Sequence, residues 1–188
     1  MAFAPTPGLL PAKLAGASFE FFLSHVYHSQ PVLDRQKVQD AITNMDRSAE
    51  AYCMIAALCA YVIIQANMEV SHSLLERPEM ARMSSLSIGH TLLEESVRVR
   101  NGYDYHEKPT HMSVLTSWFY CGSYHGLAKE NSAWAYLREA TTQAQLIGLQ
   151  NAETHKHDPL DISRKRVLYW LLLITERCVP HEQKMTVF

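Results

Sequence analysis

Apolar residues recur at helical spacing along nearly the whole chain. In SFEFFLSHVYHSQP, Phe19, Phe22, Leu23 and Val26 stand at i, i+3, i+4 and i+7, the stripe that a helix turns toward a core. Pro31 drives Gln30 out of the helical region and predicts the stop. Asp34 is then placed to N-cap a short helix bearing Val38, Ile42 and Met45. AEAYCMIAALCAYVIIQA is apolar on every side, the pattern of a central helix surrounded by others. Its β-branched residues Ile55, Val62, Ile63 and Ile64 leave a strand open for the second half, while length and the alanines favour helix.

Farther along, Pro78 suits a first helical turn, followed by Met83, Leu86, His90, Leu93 and Val97 on one face. Glu94 and Arg98 make an i, i+4 pair of favourable polarity on that helix. Asn101-Gly102 predicts its end and opens the clearest break in the chain, NGYDYHEKP. Thr110 is an N-cap for HMSVLTSWFYCGSYHGLA, and Asn131 or Ser132 for AWAYLREATTQAQLI. Gly148 supplies the left-handed residue after a helix end, with Leu149 set to fold back. Asp158-Pro159 offers N-cap and first-turn proline for a last helix, SRKRVLYWLLLITER, and Pro180 stops it. Gly122 and Gly126 would let a neighbouring helix come close. The expected fold is all-α, an irregular bundle of about seven or eight helices. Residues 1–17, broken by Pro5, Pro7, Gly8 and Pro11, read as a flexible lead-in, residues 18–178 as one domain, and 179–188 as a tail.

Composition narrows the function classes. A chain of 188 residues, 47% hydrophobic and 19% charged, buries a core without staples. A net charge of -2 gives no overall basic footprint for a phosphate backbone. The run Arg164-Lys165-Arg166 is too short for a polybasic patch and reads as a solvated helix face. The N-terminus has no basic n-region or uninterrupted h-region, so no secretory signal is expected. The apolar run Val167 to Ile174 falls far short of the ~20 residues that a membrane span requires. Cys53, Cys59, Cys121 and Cys178 are dispersed in apolar segments without a C-x-x-C, which points to reduced core thiols.

No constellation of catalytic residues emerges. His25 and His28 share a face but lack a carboxylate or thiol motif that would complete a metal site, and His155 and His157 lie in a polar loop. Glu94-Glu95, adjacent on a helix, cannot converge on one point. Nucleophile-elbow, zincin, P-loop and dinucleotide motifs are absent. The chain is therefore expected not to be an enzyme, with no catalytic residues, no metal ligands and no cofactor. Trp118, Tyr120, Tyr124 and His125 form an aromatic stretch that reads either as core or as the wall of a ligand pocket.

Two stretches together resemble a known family. SAWAYLREATTQAQLIGLQN, a polar loop, then ISRKRVLYWLLLITER are similar to the middle homology region of fungal zinc-cluster transcription factors. There a helix of type A-W-x-L-x-x-A-x-x-x-A-x-x-x-G-L precedes a variable loop and a helix of type R-R-x-L-F-W-x-L-F-x-x-(D/E)-R. FEFFLSHVYHSQPVLDRQKV resembles that region's opening, and its P-V-L-D-R wording points to the branch of amylase and maltose regulators. The likeness runs from about Phe19 to Arg177 and covers most of the chain. It maps onto Trp134, Leu137, Gly148, Lys165, Arg166, Tyr169, Trp170, Glu176 and Arg177. It implies that Trp170 fills the core while Arg166, Glu176 and Arg177 make polar contacts at the helix ends.

The resemblance implies a regulatory module acting in the nucleus, with other segments of a transcription factor or a second copy as partners and a small metabolite as effector. Val167 departs from a position often basic in the family. The family's DNA reader, a zinc cluster with paired C-x-x-C spacings, is missing from these residues, so the chain is not expected to bind DNA by itself. The family pattern also runs on into further helices, where this chain turns to CVPHEQKMTVF. Without those helices, apolar surface around Trp170 to Ile174 should be exposed and promote self-association. The competing expectation is a helical-repeat interaction scaffold without a transcriptional role, faintly echoed by Trp134, Leu137 and Ala140; no 34-residue recurrence supports it.

Overall fold

The computed structural model describes residues 4–154 and 159–178, with no account of side chains between 152 and 158 or at Cys178. Among the described residues there are seven α-helices and no strand. They are α1 (Ala12–His25), α2 (Arg35–Asn44), α3 (Ala49–Ile64), α4 (Ser85–Arg100), α5 (His111–Gly126), α6 (Glu130–Leu146) and α7 (Pro159–Cys178). Short 3-10 turns lie at His72–Leu74, Met80–Arg82 and Leu149–Thr154. The all-α expectation holds.

At the centre is α3. Every residue from Ala51 to Ile64 is buried, and α1, α2, α4 and α5 all pack against it. Enclosure on all sides explains why its β-branched residues sit in a helix: burial of each large apolar side chain, about 1.5–3 kcal/mol, outweighs their small propensity cost. Small residues allow the close approach. A Cβ built on Gly122 would lie 2.7 Å from Cδ2 of Tyr61, and one on Gly126 would lie 2.9 Å from Cγ2 of Ile64. The second layer is an α5–α6 hairpin, with α7 laid against α6 and the Leu149–Thr154 turn.

Several helix ends form as the sequence predicts. Asp34 accepts from the Lys37 amide, Thr110 and Ser113 make a reciprocal capping box, and Gly148 takes φ 69° with Leu149 buried behind it. Others differ. Pro78 starts no α-helix; α4 begins at Ser85, because the Ser84 hydroxyl accepts from the Ser87 amide and supplies the better cap. The buried face of α4 is Ile88, Leu92, Ser96 and Val99 with Leu93, while Leu86 is exposed. Arg98 pairs with Glu95 at 2.9 Å, not with Glu94, which faces His90 instead. Helix α6 begins before Asn131, at Glu130, with no side-chain cap.

The N-terminal segment is more than a lead-in. Leu9, Leu10, Leu14 and Ala15 are buried, and α1 starts at Ala12. The chain ahead of them is held by the buried carboxylate of Glu95, which accepts from the Thr6 amide at 2.7 Å, while Arg98 donates to the Ala4 carbonyl at 3.0 Å. No single described helix is long and apolar enough to cross a membrane. Only α2 and α3 together approach that composition, as a pair bent by 115°, and α3 is enclosed by protein.

Candidate functional site

The aromatic stretch of α5 does not close around one cavity. Trp118 donates from Nε1 to Oε1 of Gln30 at 3.3 Å, and Gln30 in turn donates to the Tyr61 hydroxyl. Tyr120 is fully buried on another face, its hydroxyl 2.7 Å from Ser96 Oγ, which donates to the Cys53 carbonyl. Tyr124 stacks on Tyr136 of α6 with ring centres 5.3 Å apart and planes at 5°. His125 stands exposed beside Glu130. Trp118 points to a different side from Tyr120, which is two residues on, whereas Tyr120 and Tyr124, four apart, share a face and both meet the Tyr136 ring. The core reading describes Trp118 and Tyr120, and Tyr124 is an α5–α6 contact.

The residues that the family resemblance singles out lie on α6 and α7, and the structure brings some of them together. Leu137 is buried, and Trp134 is half-buried with the Arg138 guanidinium 5.9 Å over its ring. Arg138 also forms an ion pair with Glu176, joining the two helices. Trp170 does not fill the core. It is 60% exposed, with Ile174 at 54% and Leu160 at 62%. Leu168 and Leu172, on the opposite face, are the residues fully withdrawn from solvent. Thus α7 is half-buried, and the expected apolar surface around Trp170 and Ile174 is there. Tyr169 is partly buried, and Arg166 and Arg177 are exposed. The run LYWLLLI holds no polar residue to set its phase, so periodicity could not show which side faces inward.

The inner side of α7 carries a polar junction that the sequence did not reveal. Arg164 pairs with Asp34, and Lys37 with Asp161, while Lys165 reaches Asp161 at 3.0 Å. Arg164 and Lys165 are therefore docked on carboxylates and are not a freely solvated face. Burial alone would raise the Asp161 carboxyl, but hydrogen bonds from Lys37 and Lys165 hold it down at about 2. His111, at the start of α5, faces this junction with Nε2 unpartnered. Burial, reinforced by the charges of Lys165 and Lys37, lowers its pKa to about 4. A cleft of about 210 Å³ lies beside it, lined by Thr110, His111, Gly148 and Lys165 among others. A second cleft of about 470 Å³, bounded by Asn67, Glu69, His72, Ser84 and Ser85, opens at the other end of α3.

A second buried network centres on Arg100. Its guanidinium is 2.9 Å from Glu139, donates to the Ser113 carbonyl and Ser117 hydroxyl, and lies 3.9 Å over the Tyr105 ring. Sequence offered no sign of it, because an arginine in a helix's last turn ordinarily faces water. The described cysteines are free and buried, and burial pushes the thiols of Cys53 and Cys59 up to about 12 and that of Cys121 to about 11. None carries a thiolate near neutral pH. Among the described residues, no three His, Cys, Asp or Glu side chains are grouped to hold a metal. His25 leans on the Phe21 carbonyl, and Glu95 is buried while Glu94 is exposed. His155, His157, Asp158 and the side chain of Cys178 lie outside the described residues.

Comparison with known proteins then adds a direction. The chain is 31% identical over 159 residues, 84% of its length, to a probable sucrose utilization protein of Candida albicans. It spans 30% of the length of that relative. No family model matches the chain, and no solved structure does.

Proposed function

We propose that this chain is the regulatory portion of a fungal zinc-cluster-type transcription regulator that governs carbohydrate-utilisation genes in the nucleus. The observation that carries this reading is the 159-residue likeness to a probable sucrose utilization protein. Its support in the fold is that α6 and α7, the helices bearing the family-like motifs, pack together and are joined by Arg138 and Glu176. The module acts by contacts between helices and not by bond chemistry. It responds to a small metabolite and relies on a separate segment for reading DNA. The aromatic residues of α5 are occupied with packing, so the effector site is assigned to the polar cleft around Asn67, Glu69 and Ser85. Its 470 Å³ falls in the range of small-molecule pockets.

A reporter assay tests this reading. The full chain is fused between a heterologous DNA-binding domain and an activation domain, and output is compared on sucrose, maltose, glucose and glycerol. Sugar-dependent output that is lost on Ser85→Trp supports it. Equal output on all four carbon sources, from a fusion shown to be stably expressed, would sink it. The isolated chain is also expected to show no salt-dependent affinity for DNA.

A further inference from the structure

The sequence holds one Asn-Gly step, Asn101-Gly102, and the fold exposes it at the C-terminal end of α4. An asparagine before glycine is the most reactive kind, because no Cβ on the next residue crowds the backbone nitrogen that can attack the side-chain amide. The reaction needs only water. The Gly102 nitrogen bonds to Cγ of Asn101, the Cγ–Nδ2 bond breaks, and ammonia departs with the proton that the Gly102 amide gives up. Water then opens the five-membered imide at either carbonyl, leaving aspartate or isoaspartate at residue 101. Asn44, Asn67, Asn131 and Asn151 are followed by Met, Met, Ser and Ala, each with a side chain in the way. Among the described residues, the Asn101 side-chain amide has no hydrogen-bond partner to hold it back.

Backbone geometry sets the rate instead. Asn101 lies in the helical region at φ −67° and ψ −9°, which turns the Gly102 nitrogen away from its side chain. Gly102 donates that N–H to the Val99 carbonyl at 3.0 Å, and Asn101 donates to the Val97 carbonyl at 3.0 Å. Ring closure therefore requires the last turn of α4 to open. A helix end ordinarily opens at little cost. Here the residue before Asn101 is Arg100, buried, met by Glu139 at 2.9 Å and donating to the Ser113 carbonyl and the Ser117 hydroxyl. On the other side of the step, the Tyr105 ring lies 3.9 Å from the same guanidinium. Asn101-Gly102 is thus an exposed, reactive step between two residues fixed on one buried cation. We propose that Asn101 is a site of spontaneous deamidation, gated by opening of the last turn of α4, which Arg100 holds shut. The product places a carboxylate at the negative end of the helix dipole, so the turn opens more readily once the reaction has occurred. This chemistry is independent of the transcriptional reading.

The test is incubation of the full chain at mildly alkaline pH beside a synthetic peptide of residues 98–105, with acid at residue 101 followed by mass spectrometry. The folded chain is expected to react at least about tenfold more slowly than the peptide, since only its opened fraction reacts. Glu139→Gln weakens the anchor without changing the neighbours of Asn101 in sequence, and should speed the reaction by about fivefold or more. Ser117→Ala, a smaller loss from the same anchor, should act in the same direction. Gly122→Ala, which loosens the packing of α5 on Tyr61 instead, should leave the rate unchanged. The proposal is overturned if chain and peptide react at one rate. It is also overturned if Gly122→Ala accelerates the reaction as much as Glu139→Gln, since global unfolding would then be the gate. Retention of the amide in Ser117→Ala and Glu139→Gln chains shown by circular dichroism to be folded, while the peptide converts, would overturn it as well.

Discussion

Among the described residues, Arg100 heads the large side chains wholly withdrawn from solvent, and its charge is met by Glu139 at 2.9 Å. Removing one member of a buried pair strands the other, so Arg100→Ala should cost about 3–5 kcal/mol in urea unfolding. Arg100→Lys should recover little of this, since an ammonium cannot reach Ser113, Ser117 and Glu139 together or stack on Tyr105. Two glycines give a contrast of sign. In Gly122→Ala the new methyl meets the Tyr61 ring, and the expected loss is about 1–3 kcal/mol. A Cβ on Gly16 in α1 meets nothing within 4 Å, and Gly16→Ala should stabilise by up to about 1 kcal/mol. Thermal melts of the two variants against the parent check both. The close approach at Gly122 was legible from its four-residue spacing to Gly126, whereas Arg100 was not, because burial of a charge depends on partners distant in sequence.

Among the elements, α7 depends most on electrostatics. Its inner face rests on Asp34, Lys37 and His111 as well as on leucines. In the unfolded chain an imidazole binds its proton near 6.5, whereas in the fold His111 does so only at about 4. Between these values the unfolded state holds more protons, so this part of the stability is complete above pH 6.5 and declines as pH falls toward 4. Asp161 contributes above its ordinary value of 3.8 and fails only as pH drops toward 2. Acid should therefore loosen the His111 junction first. Melting temperature followed from pH 7 to pH 4 should fall less steeply in His111→Phe than in the parent, and an equal slope would contradict this. The helices themselves were largely readable, since α2, α5 and the end of α6 carry cap residues that admit one placement. The start of α4 misled because Pro78 and Ser84 both satisfy local rules, and the tertiary fold chooses between them. The facing of α7 was unreadable for a different reason, an apolar run without phase.

Over the whole molecule, the path of the chain through α3 matters more than any surface feature. The segment 101–109 between α4 and α5 has Asn101, Gly102, Asp104, His106, Glu107 and Lys108 exposed, and it is the natural place for a protease to cut. Helix α3 belongs to the N-terminal piece yet packs on α5, which belongs to the C-terminal piece. A nick after Glu107, made with a glutamate-specific protease because the Lys108–Pro109 bond resists trypsin, should leave two fragments that co-elute under native conditions and separate only in denaturant. Separation without denaturant would show that the α3–α5 contact is weaker than its burial implies. If the fragments do stay together, the chain can be supplied as two halves that reconstitute on mixing, and the cut at 101–109 becomes a place where a reporter split in two could be joined to this protein without disturbing α3.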